Sequence, residues 1–280
     1  MAVSAILFPG QGSQTPEMRE TVAEVRPDLL ALAEQTVGED PFARAEEGTK
    51  FAQPAIFCAS LAGWEALGRP SGEFMAGHSL GELAALVAAG CLDDRDGLEL
   101  VALRGKLMQE SGERAGDGSM IALMGRGAAE NAAALADAHG LAVANDNSPQ
   151  QVVLSGDRAG FEGVTAAASE LGLRVIELPV TGAFHSPMMA EAVPAFTSAL
   201  ERVEVSPSAD GVTVLSAVTA APFEDVRAQL AQALTMPVRW RETLLAMHER
   251  GADRFVEVGP GRVLTGLVKR TLSDVELAHA

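Results

Sequence analysis

Phe74-Met75-Ala76-Gly77-His78-Ser79-Leu80-Gly81 is the stretch on which the fold turns. A short apolar run ends at Gly77, and the Ala/Leu-rich segment Leu80 to Ala89, closed by Gly90, reads as a helix. Between them lies G-x-S-x-G, the pattern of a sharp strand-to-helix turn that lifts a serine hydroxyl from its tip. Glycine is needed on both sides because side chains there would clash. The helix that follows aims its N-terminus at the serine and favours a developing negative charge. Ser79 is therefore the candidate nucleophile. On its own it supports a serine enzyme that transfers or hydrolyses acyl groups.

Reading outward, Val3 to Phe8 is a buried strand ended by Pro9-Gly10-Gln11-Gly12. Ala55 to Leu67 and Leu98 to Gln109 read as helices. The middle of the chain has another rhythm. Met120–Met124 is a strand, 128–139 a helix, and 141–144 and 151–155 are strands around a turn at Asn145-Asp146-Asn147-Ser148-Pro149. Phe161–Leu171 is a helix and Arg174–Val180 a strand. The order β-α-β-β-α-β is the ferredoxin-like pattern. The fold class expected is α/β: a large α/β domain with a parallel sheet over 1–116 and 184–280, and an inserted ferredoxin-like small domain over 117–183. After the insert, Pro187 to Val203 reads as a helix, 212–217 as a strand, 226–234 as a helix, and 254–258 as a strand before a final helix to Arg270.

A serine needs a base. The chain has five histidines. His78 adjoins the serine and should point away from it, into packing. His139 sits at a helix end before Gly140, His248 lies in a late helix, and His279 is in the tail. His185, in Thr181-Gly182-Ala183-Phe184-His185-Ser186-Pro187, lies at a strand end where loops of open α/β sheets carry catalytic groups, and is the base by elimination. Spacing assigns no acid to orient it.

Composition narrows the partners. The 280 residues are 48% hydrophobic and 21% charged, enough for a sizeable core and too apolar for disorder. A net charge of −17 argues against nucleic acid and anionic membranes. The start MAVSAILFPG has no basic segment, and no apolar run is long enough to span a bilayer, so a cytoplasmic location is expected. Cys58 and Cys91 lie outside any metal or disulfide pattern, and no metal site is expected. Gly10-x-Gly12 and Gly259-Pro260-Gly261 lack the third glycine of a dinucleotide loop.

Several motifs, in order, resemble those of malonyl-CoA:acyl carrier protein transacylases, and the likeness covers nearly the whole chain. They are Phe8-Pro9-Gly10-Gln11-Gly12-Ser13-Gln14, Gly77-His78-Ser79-Leu80-Gly81-Glu82, Arg104-Gly105-Lys106-Leu107-Met108-Gln109, Gly182-Ala183-Phe184-His185, and Val258-Gly259-Pro260-Gly261 with Val263-Leu264. The resemblance implies an α/β-hydrolase-like body with a ferredoxin-like insert. It implies that Ser79 takes malonyl from malonyl-CoA as an ester and that His185 activates Ser79 and then the phosphopantetheine thiol of an acyl carrier protein. It also implies backbone N–H groups of Gln11 and Leu80 as the oxyanion hole, and Arg104 as the holder of the malonyl carboxylate. A guanidinium fork matches a carboxylate, and Arg104 shares a helix face with Val101 and Met108. Phe184, beside the base, leaves little room for a branched acyl group. The family's histidine-orienting glutamine falls here at Ala233, beside Gln232, where only a backbone carbonyl is on offer. No cofactor is expected beyond the substrates.

Because a carrier protein is acidic, docking needs a local basic patch. Residues 236–270 hold seven Lys/Arg against four Asp/Glu, with Arg239, Arg241, Lys269 and Arg270 as candidates. A carrier-protein acyl hydrolase, a silent carrier-binding module and a polyketide acyltransferase acting in trans are the competing readings. Fatty acid and polyketide synthesis both remain open, and a monomer is the default.

Overall fold

The computed structural model describes residues 3–279. Its centre is β1, Val3–Phe8, whose apolar residues alternate between two covered faces. Ile6 and Phe8 face one layer of helices, and Ala5 and Leu7 face the other; none of the four exceeds 1% exposure. β2 (Phe74–Gly77) and β9 (Ala252–Glu257) flank β1, both parallel to it, with Ala5 opposite Phe74 and Phe8 opposite Gly77. β7 (Thr213–Ser216), the two-residue β8 (Ala221–Pro222) and β10 (Glu276–His279) complete a six-stranded sheet in the order β10-β9-β1-β2-β7-β8, antiparallel only at its β7–β8 edge.

The first helical layer comprises α1 (Met18–Val25), α2 (Pro27–Val37), α3 (Thr49–Ala66), α4 (Gly81–Ala88) and α5 (Asp94–Ala115), joined by α8 (Val193–Leu200) and α9 (Val226–Gln232). The apolar stretch predicted from Ala55 is the second half of α3. That helix starts at Thr49 and is buried on nearly every side, because α1, α2, α4 and α5 pack around it. The second layer is α10 (Trp240–Glu249) with α11 (Val263–Thr271), packed through Trp240, Leu244, Leu264 and Leu267. Glu257, buried at the end of β9, caps α11 by accepting the N–H groups of Leu264 at 2.9 Å and Thr265 at 2.7 Å.

The insert folds as β3 (Gly118–Met124), α6 (Ala128–Ala138), β4 (Ala142–Ser148), β5 (Gln151–Asp157), α7 (Phe161–Glu170) and β6 (Arg174–Glu177). Its four antiparallel strands run β4-β5-β3-β6, the ferredoxin-like order. One face packs on α6 and α7 through Ile121, Leu123, Leu154 and Val164. The other carries Met120, Ala122, Ala144 and Val153 towards the large body and belongs to its core.

Two predictions of local structure fail. Asn145 to Ser148 is strand, not turn; the chain reverses at Pro149-Gln150 instead. Asn and Asp favour turns, but here the backbone pairs with β5 on one side and Val238 on the other, and two register shifts absorb the misfit. The predicted helix from Pro187 to Val203 splits into a 3₁₀ turn, Pro187–Ala192, and α8, which carries Pro194 in its first turn. Among the described residues, no helix is long and apolar enough to cross a membrane.

Candidate active site

The loops that follow β1 and β2 meet at the carboxyl ends of the parallel strands, where open α/β sheets bind ligands. The turn between β2 and α4 is held by backbone crowding. A Cβ on Gly77 would lie 1.9 Å from the carbonyl carbon of Gly81, and one on Gly81 would lie 2.2 Å from the carbonyl oxygen of Phe8. Only glycine fits at either position. Ser79 between them has φ +56°, a left-handed conformation that costs a non-glycine residue about 1–2 kcal/mol. This is the strained strand-to-helix turn read from the sequence.

Ser79 Oγ lies 2.8 Å from His185 Nε2. His185 is also left-handed, with φ +57°, and 4% exposed. Its Nδ1 is 2.8 Å from the carbonyl oxygen of Ala233. A carbonyl only accepts, so Nδ1 carries the proton and Nε2 presents a lone pair to the Ser79 hydroxyl. Burial, then the Arg104 charge and then His78, push the imidazole down to about 3. It is neutral, as a base must be. The position where the resemblance leads one to look for glutamine thus supplies a backbone carbonyl. His78 adjoins Ser79, and the other three histidines stay apart from the pair: His139 ends α6, His248 Nδ1 lies 2.8 Å from the carbonyl of Ala252, and His279 pairs across to β9.

Arg104 of α5 points inward and is 3% exposed. It donates to Ser79 Oγ at 3.1 Å and to Gln53 Oε1 at 2.9 Å. Both partners are uncharged. Burial lowers the guanidinium to about 10, and Glu82 opposes that fall. Gln53 of α3 is itself held against Met108 Sδ at 3.4 Å. The sequence reading did not select Gln53, although one polar residue inside Phe51 to Ala59 is the kind of signal that would have found it.

Glu82, one turn beyond Ser79, is 2% exposed and accepts the Ala217 N–H at 2.7 Å. Burial raises its carboxyl to about 7. Leu80 opens α4 next to Ser79, and Gln11 lies in the loop after β1, its side-chain oxygen accepting from Thr49 Oγ1 at 3.1 Å. Gln11, Leu80, Ser79, His185 and Phe184 all line one cleft of about 380 Å³ between the large body and the insert. Asn145 and Asn147 of β4 line it from the insert's side, and neither was selected from the sequence.

Of the four basic candidates, Arg239 is paired with Glu242 and Arg241 with Asp146 at 2.7 Å; Lys269 and Arg270 stand exposed at the end of α11.

The profile of the acyl transferase domain family matches residues 28–280. The chain is 37% identical over 294 residues to the polyketide biosynthesis malonyl CoA-acyl carrier protein transacylase BaeC of Bacillus velezensis, covering 98% of each protein. It is 37% identical over 289 residues to the polyketide biosynthesis protein ThaF of Burkholderia thailandensis, spanning 24% of that relative's length. Among solved structures, an acyl carrier protein S-malonyltransferase from Vibrio cholerae superposes with a TM-score of 0.89 at 35% identity, over 99% of this chain and 96% of the other. A malonyl-transacylase solved in complex with its type II polyketide acyl-carrier protein superposes with a TM-score of 0.86 at 33% identity, over 100% of this chain and 95% of the other. With its match to the family profile, its whole-length relatives and its two-sheet fold, this chain belongs to the acyl transferase domain family.

Proposed function

We propose that this protein transfers malonyl from malonyl-CoA to the phosphopantetheine thiol of an acyl carrier protein, through an ester on Ser79. His185 Nε2 takes the Ser79 proton as Oγ attacks the thioester carbonyl. The backbone N–H groups of Gln11 and Leu80 receive the oxyanion. Collapse expels the CoA sulfur, which leaves with the proton from His185. The carrier thiol then gives its proton to His185 and attacks the ester carbonyl. The C–O bond breaks, and the proton returns to Ser79. Nucleophile, base and oxyanion donors complete this chemistry, so the reading asks for no metal or cofactor.

The observation that carries the reading is Arg104: a buried guanidinium 3.1 Å from Ser79 Oγ whose partners are both uncharged. A general hydrolase has no use for a buried cation there, whereas a malonyl carboxylate supplies the missing partner. Phe184, 5% exposed and next to His185, restricts the space beside the acyl α-carbon. BaeC and ThaF are named for polyketide biosynthesis, while relatives of equal identity are named only malonyl CoA-acyl carrier protein transacylase, so the reading covers both fatty acid and polyketide synthesis.

The test supplies malonyl-CoA and holo carrier protein together and follows malonyl-carrier by mass spectrometry, with free malonate in parallel. Transfer is expected to outrun hydrolysis. Release to water faster than to the carrier thiol would replace this reading with that of a hydrolase.

A further inference from the structure

Ser79 occupies a minor backbone well, and such a residue persists only where its neighbours fix it. His78, directly before it, is fixed from several directions. Its backbone N–H donates to Phe8 at 2.9 Å, and its carbonyl accepts from Gly81 at 3.0 Å. Its ring meets Trp240 edge-on, with centroids 5.4 Å apart at 65°. All of these come from the large body. The remaining contact comes from the insert: His78 Nε2 lies 2.8 Å from Asn147 Oδ1. The amide oxygen only accepts, so His78 carries its proton on Nε2.

Asn147 is itself rigidly placed. On β4 beside it, Ala144 and Asp146 exchange backbone hydrogen bonds with Val238, accepting at 2.8 Å and donating at 2.9 Å. Arg241 grips the Asp146 carboxylate through two nitrogens, at 2.9 and 2.7 Å. The strand read as a turn is therefore a strut from the insert to the large body. Its side chains alternate, with Asp146 facing Arg241 and Asn147 facing His78.

We propose that Asn147 is a positioning residue, holding the His78 imidazole and through it the angle at which Ser79 meets His185. The proposal rests on the reading of Ser79 as nucleophile and assigns the insert a part in setting that nucleophile as well as in walling the cleft. Removing the strut leaves the His78 N–H without its partner and loosens the residue before Ser79.

A small fluorophosphonate, which phosphonylates an activated serine without needing the acyl or carrier sites, separates alignment from substrate binding. At a temperature where circular dichroism shows every variant folded, Asn147→Ala and His78→Ala are each expected to label Ser79 about tenfold more slowly than wild type. The double variant is expected to be no slower than the slower single one. His78→Gln, whose side-chain N–H reaches about as far as Nε2, is expected to stay within about threefold of wild type. Labelling of Asn147→Ala at the wild-type rate, with only the KM for malonyl-CoA raised, would make Asn147 a substrate contact and overturn the proposal. Multiplicative losses in the double variant would overturn it too. Wild-type protein that fails to label at Ser79 would remove the nucleophile reading itself, and the strut proposal with it.

Discussion

Replacing Arg104 by alanine should change which acyl group this protein accepts, by an amount the site allows one to work out. Arg104 keeps its charge at neutral pH, since burial brings it down only to about 10. Its hydrogen-bond partners are uncharged and Glu82 acts on it only without a hydrogen bond, so the guanidinium has no hydrogen-bonded carboxylate until one binds. Deleting one member of a buried ion pair costs about 3–4 kcal/mol. At about 1.4 kcal/mol per factor of ten, that is a fall of ~10²–10³ in kcat/KM for malonyl-CoA. Acetyl-CoA has no carboxylate and loses only the help of the Arg104–Ser79 contact, worth about tenfold at most. The assay is paired kcat/KM measurement with malonyl-CoA and acetyl-CoA, read as a ratio so that any general damage cancels. The ratio should fall by at least about tenfold, and by up to ~10³, in Arg104→Ala. If both substrates slow equally and the ratio moves less than about threefold, Arg104 acts on Ser79 alone and the carboxylate argument fails.

Gly81→Ala would set a Cβ 2.2 Å from the Phe8 carbonyl oxygen, so the turn must open; about 3 kcal/mol of stability should go, seen as a melting temperature lower by roughly 6–12 °C. Glu82 carries a second prediction through pH. Its folded pKa is raised by burial to about 7, so its contribution to stability is fully present below the unfolded carboxylate value and is lost as pH rises through 7. Glu82→Gln, which keeps an oxygen for the Ala217 N–H, should therefore flatten the fall in melting temperature of the wild type between about pH 5 and 8. Phe184→Ala should raise kcat/KM for methylmalonyl-CoA relative to malonyl-CoA by roughly 10–100-fold, since one methyl in a fitted pocket is worth about 1–3 kcal/mol.

What the sequence made legible was local. The turn around Ser79 was readable because two glycines and an apolar run are each forced by nearby backbone, and the ferredoxin-like insert was readable because its periods change at glycine-rich boundaries. His185 was reached by elimination, and its hydrogen bond to Ser79 shows that loops at strand ends converge here. What remained hidden depends on partners remote in the chain. Asn145 to Asn147 reads as a turn by residue type, and pairing with β5 on one side and with Val238, about ninety residues later, on the other makes it strand. Gln53 is an ordinary helix residue until α5 brings Arg104 against it. Arg241 reads as surface charge until folding supplies Asp146. The carbonyl that orients His185 belongs to Ala233, whose side chain carries no chemical signal at all.

Transfer through Ser79 requires malonyl to reside there between donor and acceptor. The direct measurement is peptide mass spectrometry of protein quenched with acid shortly after mixing with malonyl-CoA, with and without holo carrier protein. The expected result is a malonyl ester on the Ser79 peptide, absent from Ser79→Ala and discharged when carrier is added. Malonyl-carrier formed by Ser79→Ala at the wild-type rate, or an adduct on another residue, would contradict the account.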